Sequence, residues 1–100
     1  MPVVPEDREI ARLARIIAQV QGVWYRGWTG EEALKCGLRG WVRNRRDGSV
    51  QALFAGPVIA VEEMINTYRQ GLPDTEVLQV ELETADAPEQ AGFQQHPTAE

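Results

Sequence analysis

Hydrophobic and polar residues alternate in four segments of the chain, and this alternation predicts β-strands at residues 9–20, 38–45, 49–54 and 75–84. In the last segment Leu78, Val80 and Leu82 share one face, so the strand is expected to bury that side. The residues around Phe93 favour a short edge strand only weakly, because polar residues and Pro97 follow.

Two segments change to helical spacing. Residues 28–36 contain good helix formers, with Thr29 as the predicted N-cap and Gly37 as the predicted stop. Pro57 is expected to open a second helix, because proline suits the first helical position, and Gly71 to close it. Hydrophobic residues recur in this helix every three or four positions: Val61, Met64, Ile65 and Tyr68.

The predicted order of elements is β-α-β-β-α-β, the split-βαβ arrangement of ferredoxin-like domains. This order predicts an α+β sandwich in which an antiparallel sheet carries both helices on one face. We assign residues 1–8 to a flexible leader, 9–95 to the domain and 96–100 to a flexible tail. The fold occurs with many unrelated functions, so the chemistry has to be read from individual residues.

Composition limits the possible binding partners and cellular compartment of the chain, whose net charge is −5. Residues 26–46 carry six basic and two acidic side chains, a local balance of +4 that suits a small anion but is too narrow for general nucleic-acid binding. No hydrophobic run is long enough to span a membrane, and no signal peptide is evident at the start. Cys36 is the single cysteine, which favours a reducing cytoplasm.

Two short motifs contain the candidate functional residues. The first is a predicted strand end and a tight loop that closes on an arginine, and it reads Val20-Gln21-Gly22-Val23-Trp24-Tyr25-Arg26. Such a loop turns backbone N–H groups inward and adds a guanidinium, which suits a tetrahedral anion such as phosphate. The second is a predicted strand, Gly40-Trp41-Val42-Arg43-Asn44, whose last carboxamide can hold a water molecule without titrating.

The residues around the loop exclude several familiar kinds of phosphate chemistry. A P-loop is excluded, because no second glycine followed by Lys and Ser/Thr comes after Gly22. A dinucleotide fingerprint is excluded as well, because it needs three spaced glycines and the loop has one. A cysteine-dependent phosphatase would have its thiol six positions before Arg26, where Val20 stands. His96 is the single histidine and reads as a surface residue, so we expect no metal site.

The motifs provide donors, one cation and a neutral amide, but no evident general acid. Phosphate esters expel alkoxides, which need protonation, whereas an acyl phosphate expels a carboxylate whose conjugate acid has a pKa of about 4. The loose transition state of phosphoryl transfer also demands little from a general base. These residues therefore favour hydrolysis of an acyl phosphate by positioning and charge stabilisation.

A wider set of residues surrounds the two motifs: Thr29 after the loop, Gly37-Leu38 before the second motif, and Asp47-Gly48 and Gly56-Pro57 after it. Together with the motifs, this pattern closely resembles the acylphosphatases over about residues 10–93. The resemblance implies the hydrolysis of acyl phosphates to a carboxylate and inorganic phosphate, without a metal or organic cofactor. The substrate would be a small molecule, and we expect a monomer that binds neither nucleic acid nor membrane.

The resemblance also assigns roles to residues. Arg26 matches the phosphate-binding arginine of the family, Asn44 matches the asparagine that orients the attacking water, and Thr29 matches a supporting threonine. Five residues would supply the backbone N–H donors of the phosphate-binding loop: Gln21, Gly22, Val23, Trp24 and Tyr25.

One departure from the family pattern leaves a second hypothesis open. Ala18-Gln19 stands where the family usually has Gly-Arg, which removes a positive charge near the loop. With the strongly acidic end of the chain, this difference supports a non-catalytic anion-binding or protein-interaction module on the same scaffold. RNA binding through the sheet is not supported, because no aromatic and basic strand motif of the required kind is present.

Overall fold

A computed structural model describes residues 8–19, 25–70 and 76–98. Seven elements follow one another along the chain: β1 (Glu9–Gln19), α1 (Tyr25–Lys35), β2 (Arg39–Asn44), β3 (Val50–Pro57), α2 (Val58–Gln70), β4 (Glu76–Thr84) and β5 (Phe93–Gln95). The predicted β-α-β-β-α-β order is therefore confirmed, and the short edge strand around Phe93 is present.

The strands form one sheet in the order β4-β1-β3-β2-β5. The pairs β1–β3, β1–β4 and β2–β3 are antiparallel, as predicted for a ferredoxin-like α+β sandwich. β5 pairs with β2 in parallel, with Phe93 opposite Gly40 and Gln95 opposite Val42. The C-terminal ends of β2 and β5 therefore lie at the same end of the sheet.

Both helices cover one face of the sheet and enclose the main hydrophobic core. Ala14 and Ile16 of β1 lie in this core. The sheet contributes Val42, Val50, Ala52 and Phe54, and the helices contribute Ala33, Val61, Met64 and Tyr68. Burial of these side chains is the main source of stability in a domain of this size.

The end of α1 agrees with the sequence, whereas its start does not. The amide of Leu38 donates to the Ala33 carbonyl and that of Gly37 to the Leu34 carbonyl, both at 3.0 Å. This pair of bonds, with Gly37 at a φ of 70°, is a Schellman motif and confirms the predicted stop. The N-cap predicted at Thr29 is wrong, because α1 begins at Tyr25 and Thr29 is fully buried inside the helix.

The start of α2 also differs slightly from the prediction. β3 runs through Pro57, and the helix begins at Val58, so the proline immediately precedes the first helical residue. The amide of Val58 donates to the Arg8 carbonyl at 3.0 Å, which ties the start of α2 to the residue before β1. The predicted stop at Gly71 lies outside the described residues.

A bulge changes the faces of β4. Ile17 pairs with Gln79 and Ala18 with Val77, so Leu78 is an extra residue without a partner on β1. The side chain of Leu78 is 56% exposed, and Val77 packs against the main core instead. Leu82 is also exposed, at 37%. The prediction that Leu78, Val80 and Leu82 share one buried face was therefore wrong for Leu78 and Leu82.

Candidate active site

Arg26 lies in the first turn of α1, directly after the predicted phosphate-binding loop. Its side chain is partly buried, and its Nη1 atom donates a hydrogen bond of 2.9 Å to the backbone oxygen of His96. The first amides of a helix have no partner within it, and the helix dipole makes this end positive. Arg26 therefore lies at a helix start that favours an anion.

Asn44 is the last residue of β2 and pairs with Val50 of β3. Alternation along β2 puts Asn44 on the same side as Val42, which packs in the core beneath the helices. Arg26 and Asn44 therefore both lie on the helix side of the sheet. A tight turn then leads back to β3.

That turn is fixed by hydrogen bonds of one carboxylate. Asp47 Oδ1 accepts hydrogen bonds from the Ser49 hydroxyl at 2.6 Å and from the Ser49 amide at 2.9 Å. These two bonds, the first being the larger cause, lower the pKa of Asp47, and the Arg15 guanidinium adds to the effect. Gly48, at a φ of 90°, confirms the tight turn predicted at Asp47-Gly48. The position of Asn44 is therefore set by a rigid hairpin.

Two hydrogen bonds join the arginine to the strand that ends on the asparagine. The His96 carbonyl accepts the bond from Arg26, and the His96 amide donates to the Val42 carbonyl at 2.8 Å. Val42 precedes Asn44 by two residues on β2. The residue after β5 thus connects the start of α1 to the end of β2.

Four of the five predicted loop residues, Gln21, Gly22, Val23 and Trp24, lie outside the described residues. Tyr25 is the first residue of α1, and nothing is described of its side chain. The structure therefore brings together the regions of Arg26 and Asn44, and the part assigned to the loop stays a prediction.

Thr29 follows Arg26 by three residues, so the two side chains lie on the same face of α1. Its side chain is fully buried, and its Oγ1 atom has no hydrogen-bond partner. A buried hydroxyl without a partner costs about 1–3 kcal/mol, and such groups are rare in native proteins. This hydroxyl, on the same face of α1 as Arg26, is therefore a candidate for a role at the site.

The sequence missed the contribution of His96, which we had interpreted as a surface residue. The structure shows a partly buried ring stacked on Trp41, with ring centroids 5.5 Å apart and an angle of 15° between the planes. The polar neighbours of His96 suggested exposure, and nothing in them indicated a contact with a residue 55 positions earlier. The one available signal in the sequence was the motif that contains Trp41, the residue on which the His96 ring stacks.

Other candidate groups lie away from these residues. Cys36 packs against the main core, and desolvation by burial raises the pKa of its thiol. Within the described ranges, no three His, Cys, Asp or Glu residues come together as metal ligands. Neither helix of the described chain is long and apolar enough to cross a bilayer.

The architecture defines an α+β sandwich of ferredoxin-like topology, in which Arg26 lies at the start of α1 and Asn44 at the end of β2. Comparison with protein families matches residues 14–95 to the acylphosphatase family. The chain is 54% identical over 86 residues to an acylphosphatase of Rhodospirillum rubrum, covering 86% of this chain and 94% of the relative. It is 49% identical over 89 residues to an acylphosphatase of Rhizorhabdus wittichii, covering 89% and 90%, respectively.

A solved structure gives the same result. The crystal structure of an acylphosphatase from Bacillus subtilis superimposes with a TM-score of 0.79 at 30% sequence identity, covering 87% of this chain and 98% of that one. The chain therefore belongs to the acylphosphatase family and is an enzyme of that class.

Proposed function

We propose that this enzyme hydrolyses acyl phosphates to a carboxylate and inorganic phosphate at the edge where α1 begins and β2 ends. The observation that carries the proposal is the pair of hydrogen bonds through His96, which ties Arg26 to the strand that bears Asn44. The phosphoryl group would be bound by the guanidinium and by the backbone amides of residues 21–25. The Asn44 carboxamide would orient the attacking water.

The chemistry requires no strong acid or base from the protein. The carboxylate leaving group departs unprotonated at neutral pH, because its conjugate acid has a pKa of about 4. Charge develops on the phosphoryl oxygens and the leaving oxygen, and these are stabilised by fixed donors and a cation. Arg26 carries that cation in a partly buried position, where electrostatic interactions are stronger than in water.

Thr29 has a supporting role in this proposal. Its buried hydroxyl lies one helical turn from Arg26 and has no hydrogen-bond partner. A donor held ready at this position would hydrogen-bond to the loop or to the bound phosphate. A monomeric state and a cytoplasmic location stay predictions.

The central experiment is metal-free hydrolysis of benzoyl phosphate with EDTA present and inorganic phosphate as a competitor. We expect Arg26→Ala to abolish phosphate inhibition and to lower kcat/KM by about 10³-fold. Asn44→Ala should lower kcat by about 10²-fold and leave the inhibition constant of phosphate within about twofold of wild type, because the amide acts on water in the transition state.

Matched controls separate these effects from loss of charge or of an amide elsewhere. Arg39→Ala removes an arginine that pairs with Glu9 on the opposite side of the sheet, at 2.9 Å, and should leave turnover near wild type. Asn66→Ala removes an exposed amide of α2. A wild-type protein that binds phosphate but releases no product would favour the non-catalytic module. An Asn44→Ala variant with normal kcat would remove the proposed role of that residue.

A further inference from the structure

The acceptor that holds Arg26 is a neutral backbone carbonyl. Its Nη1 atom donates to the His96 oxygen at 2.9 Å, across 70 residues of sequence. A guanidinium has five N–H donors, and this bond uses one of them. Among the salt bridges of the described residues, none involves Arg26. Within the described residues, Arg26 is therefore held in place by a neutral acceptor, and no acidic side chain pairs with its positive charge.

His96 lies beyond the last strand, so the ladder alone does not explain its fixed position. β5 ends at Gln95, and the His96 amide adds one further bond, of 2.8 Å, to Val42. The imidazole ring stacks on the indole of Trp41. Stacked aromatic pairs stabilise a contact beyond the area that they bury.

The ring under His96 is itself part of a wider contact. The Arg43 guanidinium lies 4.7 Å from the centroid of the Trp41 ring, a cation–π distance. Arg43 Nε also donates to Gln51 Oε1 of β3 at 3.0 Å. Side chains from β3 and β2 therefore support the indole against which the His96 ring lies.

We propose that His96 is a positioning residue for the phosphate-binding arginine: its ring, stacked on Trp41, fixes the backbone carbonyl that orients the Arg26 guanidinium. This inference rests on the proposed function of Arg26. The ring lies on the open side of the sheet with Trp41, whereas Arg26 belongs to the helix layer. His96 thus contacts Trp41 through its ring on one side of the sheet and Arg26 through its backbone carbonyl on the other.

The neutrality of the carbonyl is essential to this arrangement. A carboxylate in the same place would pair with the guanidinium and compete with phosphate for its charge. The carbonyl instead restricts the rotamers of Arg26 before the ligand arrives, and a free arginine side chain loses rotamer entropy when it is fixed. Loss of the anchor should therefore weaken phosphate binding while leaving the site's residues in place.

The test compares three variants with the wild-type enzyme. His96→Ala removes the ring, His96→Phe restores a ring that can stack, and Thr98→Ala changes an exposed residue two positions later. Phosphate affinity is measured by isothermal titration calorimetry, benzoyl phosphate hydrolysis gives kcat and KM, and urea unfolding reports stability. We expect His96→Ala to weaken phosphate binding about fivefold and to lower kcat/KM by a similar factor. His96→Phe and Thr98→Ala should lie within about twofold of wild type.

The outcomes separate this inference from the proposed function. If Arg26→Ala still binds phosphate like the wild type, the proposed function itself fails. If Arg26→Ala loses phosphate but His96→Ala binds it normally, the positioning role of His96 is wrong and the function of Arg26 stands. A loss in His96→Ala that His96→Phe does not restore also overturns the inference, because ring stacking would not then be the cause. Recovery by His96→Phe supports it.

Discussion

The hydroxyl of Tyr68 donates a buried hydrogen bond of 2.8 Å to the carbonyl oxygen of Val50, the residue that pairs with Asn44. Tyr68 is fully buried near the end of α2, and its ring packs edge-on against Phe54. The second helix, which contains none of the motif residues, therefore supports the strand opposite the candidate water-orienting asparagine.

Removal of this hydroxyl should reduce stability more than catalysis. Tyr68→Phe keeps the aromatic packing and loses the bond to Val50, which we expect to lower the free energy of unfolding by about 1 kcal/mol. Because β3 also holds the hairpin through its ladder, kcat should stay within about threefold of wild type. Urea unfolding measures the loss of stability, and benzoyl phosphate turnover measures kcat. A Tyr68→Phe variant as stable as the wild type would contradict the expected contribution of the hydrogen bond to stability.

Gly40 permits a close approach between β2 and β3. Its φ is 138°, which side-chain-bearing residues rarely adopt, and a Cβ atom there would overlap the Leu53 carbonyl oxygen. We expect Gly40→Ala to lower the free energy of unfolding by about 3 kcal/mol, because both backbone strain and overlap must be relieved. Thermal or urea unfolding measures the effect.

Gly30 provides the matched control for Gly40. It lies inside α1, and a Cβ atom there would be 3.4 Å from Gln95 Nε2, the end of a flexible side chain. Alanine is also better than glycine within a helix by about 1 kcal/mol. Gly30→Ala should therefore be as stable as the wild type or more stable by up to about 1 kcal/mol. Equal losses at both positions would contradict the argument from space and φ.

Asp47 should make the stability of the hairpin depend on pH in the acid range. The hydrogen bonds from Ser49 lower the pKa of Asp47 in the folded state relative to an unfolded value of about 3.9. A lowered pKa means that the carboxylate stabilises the fold above its unfolded pKa, and that this stabilisation is lost as pH falls through the folded pKa. At neutral pH, we therefore expect the wild type to unfold at a higher urea concentration than Asp47→Asn.

The difference between these two proteins should diminish as the pH falls below the ordinary range for aspartate. Asparagine keeps an oxygen that can accept the two bonds from Ser49, so the comparison isolates the charge. Asp86→Asn, on an exposed residue after β4, controls for removal of a carboxylate elsewhere. A gap between wild type and Asp47→Asn that grows towards low pH would reverse the expected sign.

Thr29 should show opposite effects on stability and on turnover. Thr29→Val keeps the shape of the side chain and removes the buried hydroxyl that has no partner, so it should be as stable as the wild type or more stable by about 1 kcal/mol. If the hydroxyl serves the site, kcat should fall several-fold in Thr29→Val and recover in Thr29→Ser. Normal turnover in a well-folded Thr29→Val enzyme would limit the residue to a packing role.

Local signals were sufficient for the order of elements and for several of their boundaries. Gly37 ends α1 in a Schellman motif because its positive φ suits glycine, and Asp47 with Gly48 forms the predicted turn. The start of α1 was missed because Gly27 and Gly30 lower helix propensity and Thr29 resembles an N-cap. Burial of the first turns against the sheet overrides that propensity, which no short window of sequence reveals.

The sequence indicated candidate residues for the site but not the contacts between them. Spacing and residue type pointed to Arg26 and Asn44, since a guanidinium and a carboxamide near a glycine-containing loop suit phosphate. The link through His96 was not predictable, because it joins residues far apart in sequence and uses a backbone oxygen that any residue would carry. Stacking of His96 on Trp41 follows from the parallel pairing of β2 with β5, which only the tertiary structure reveals.

The anchoring of Arg26 by His96 has a consequence for synthesis of the protein on the ribosome. The arginine emerges early, but its acceptor is translated 70 residues later. The guanidinium of Arg26 therefore lacks this hydrogen bond until almost the whole domain has left the exit tunnel. An unfinished chain would contain every motif residue and still lack the contact that holds the arginine in place.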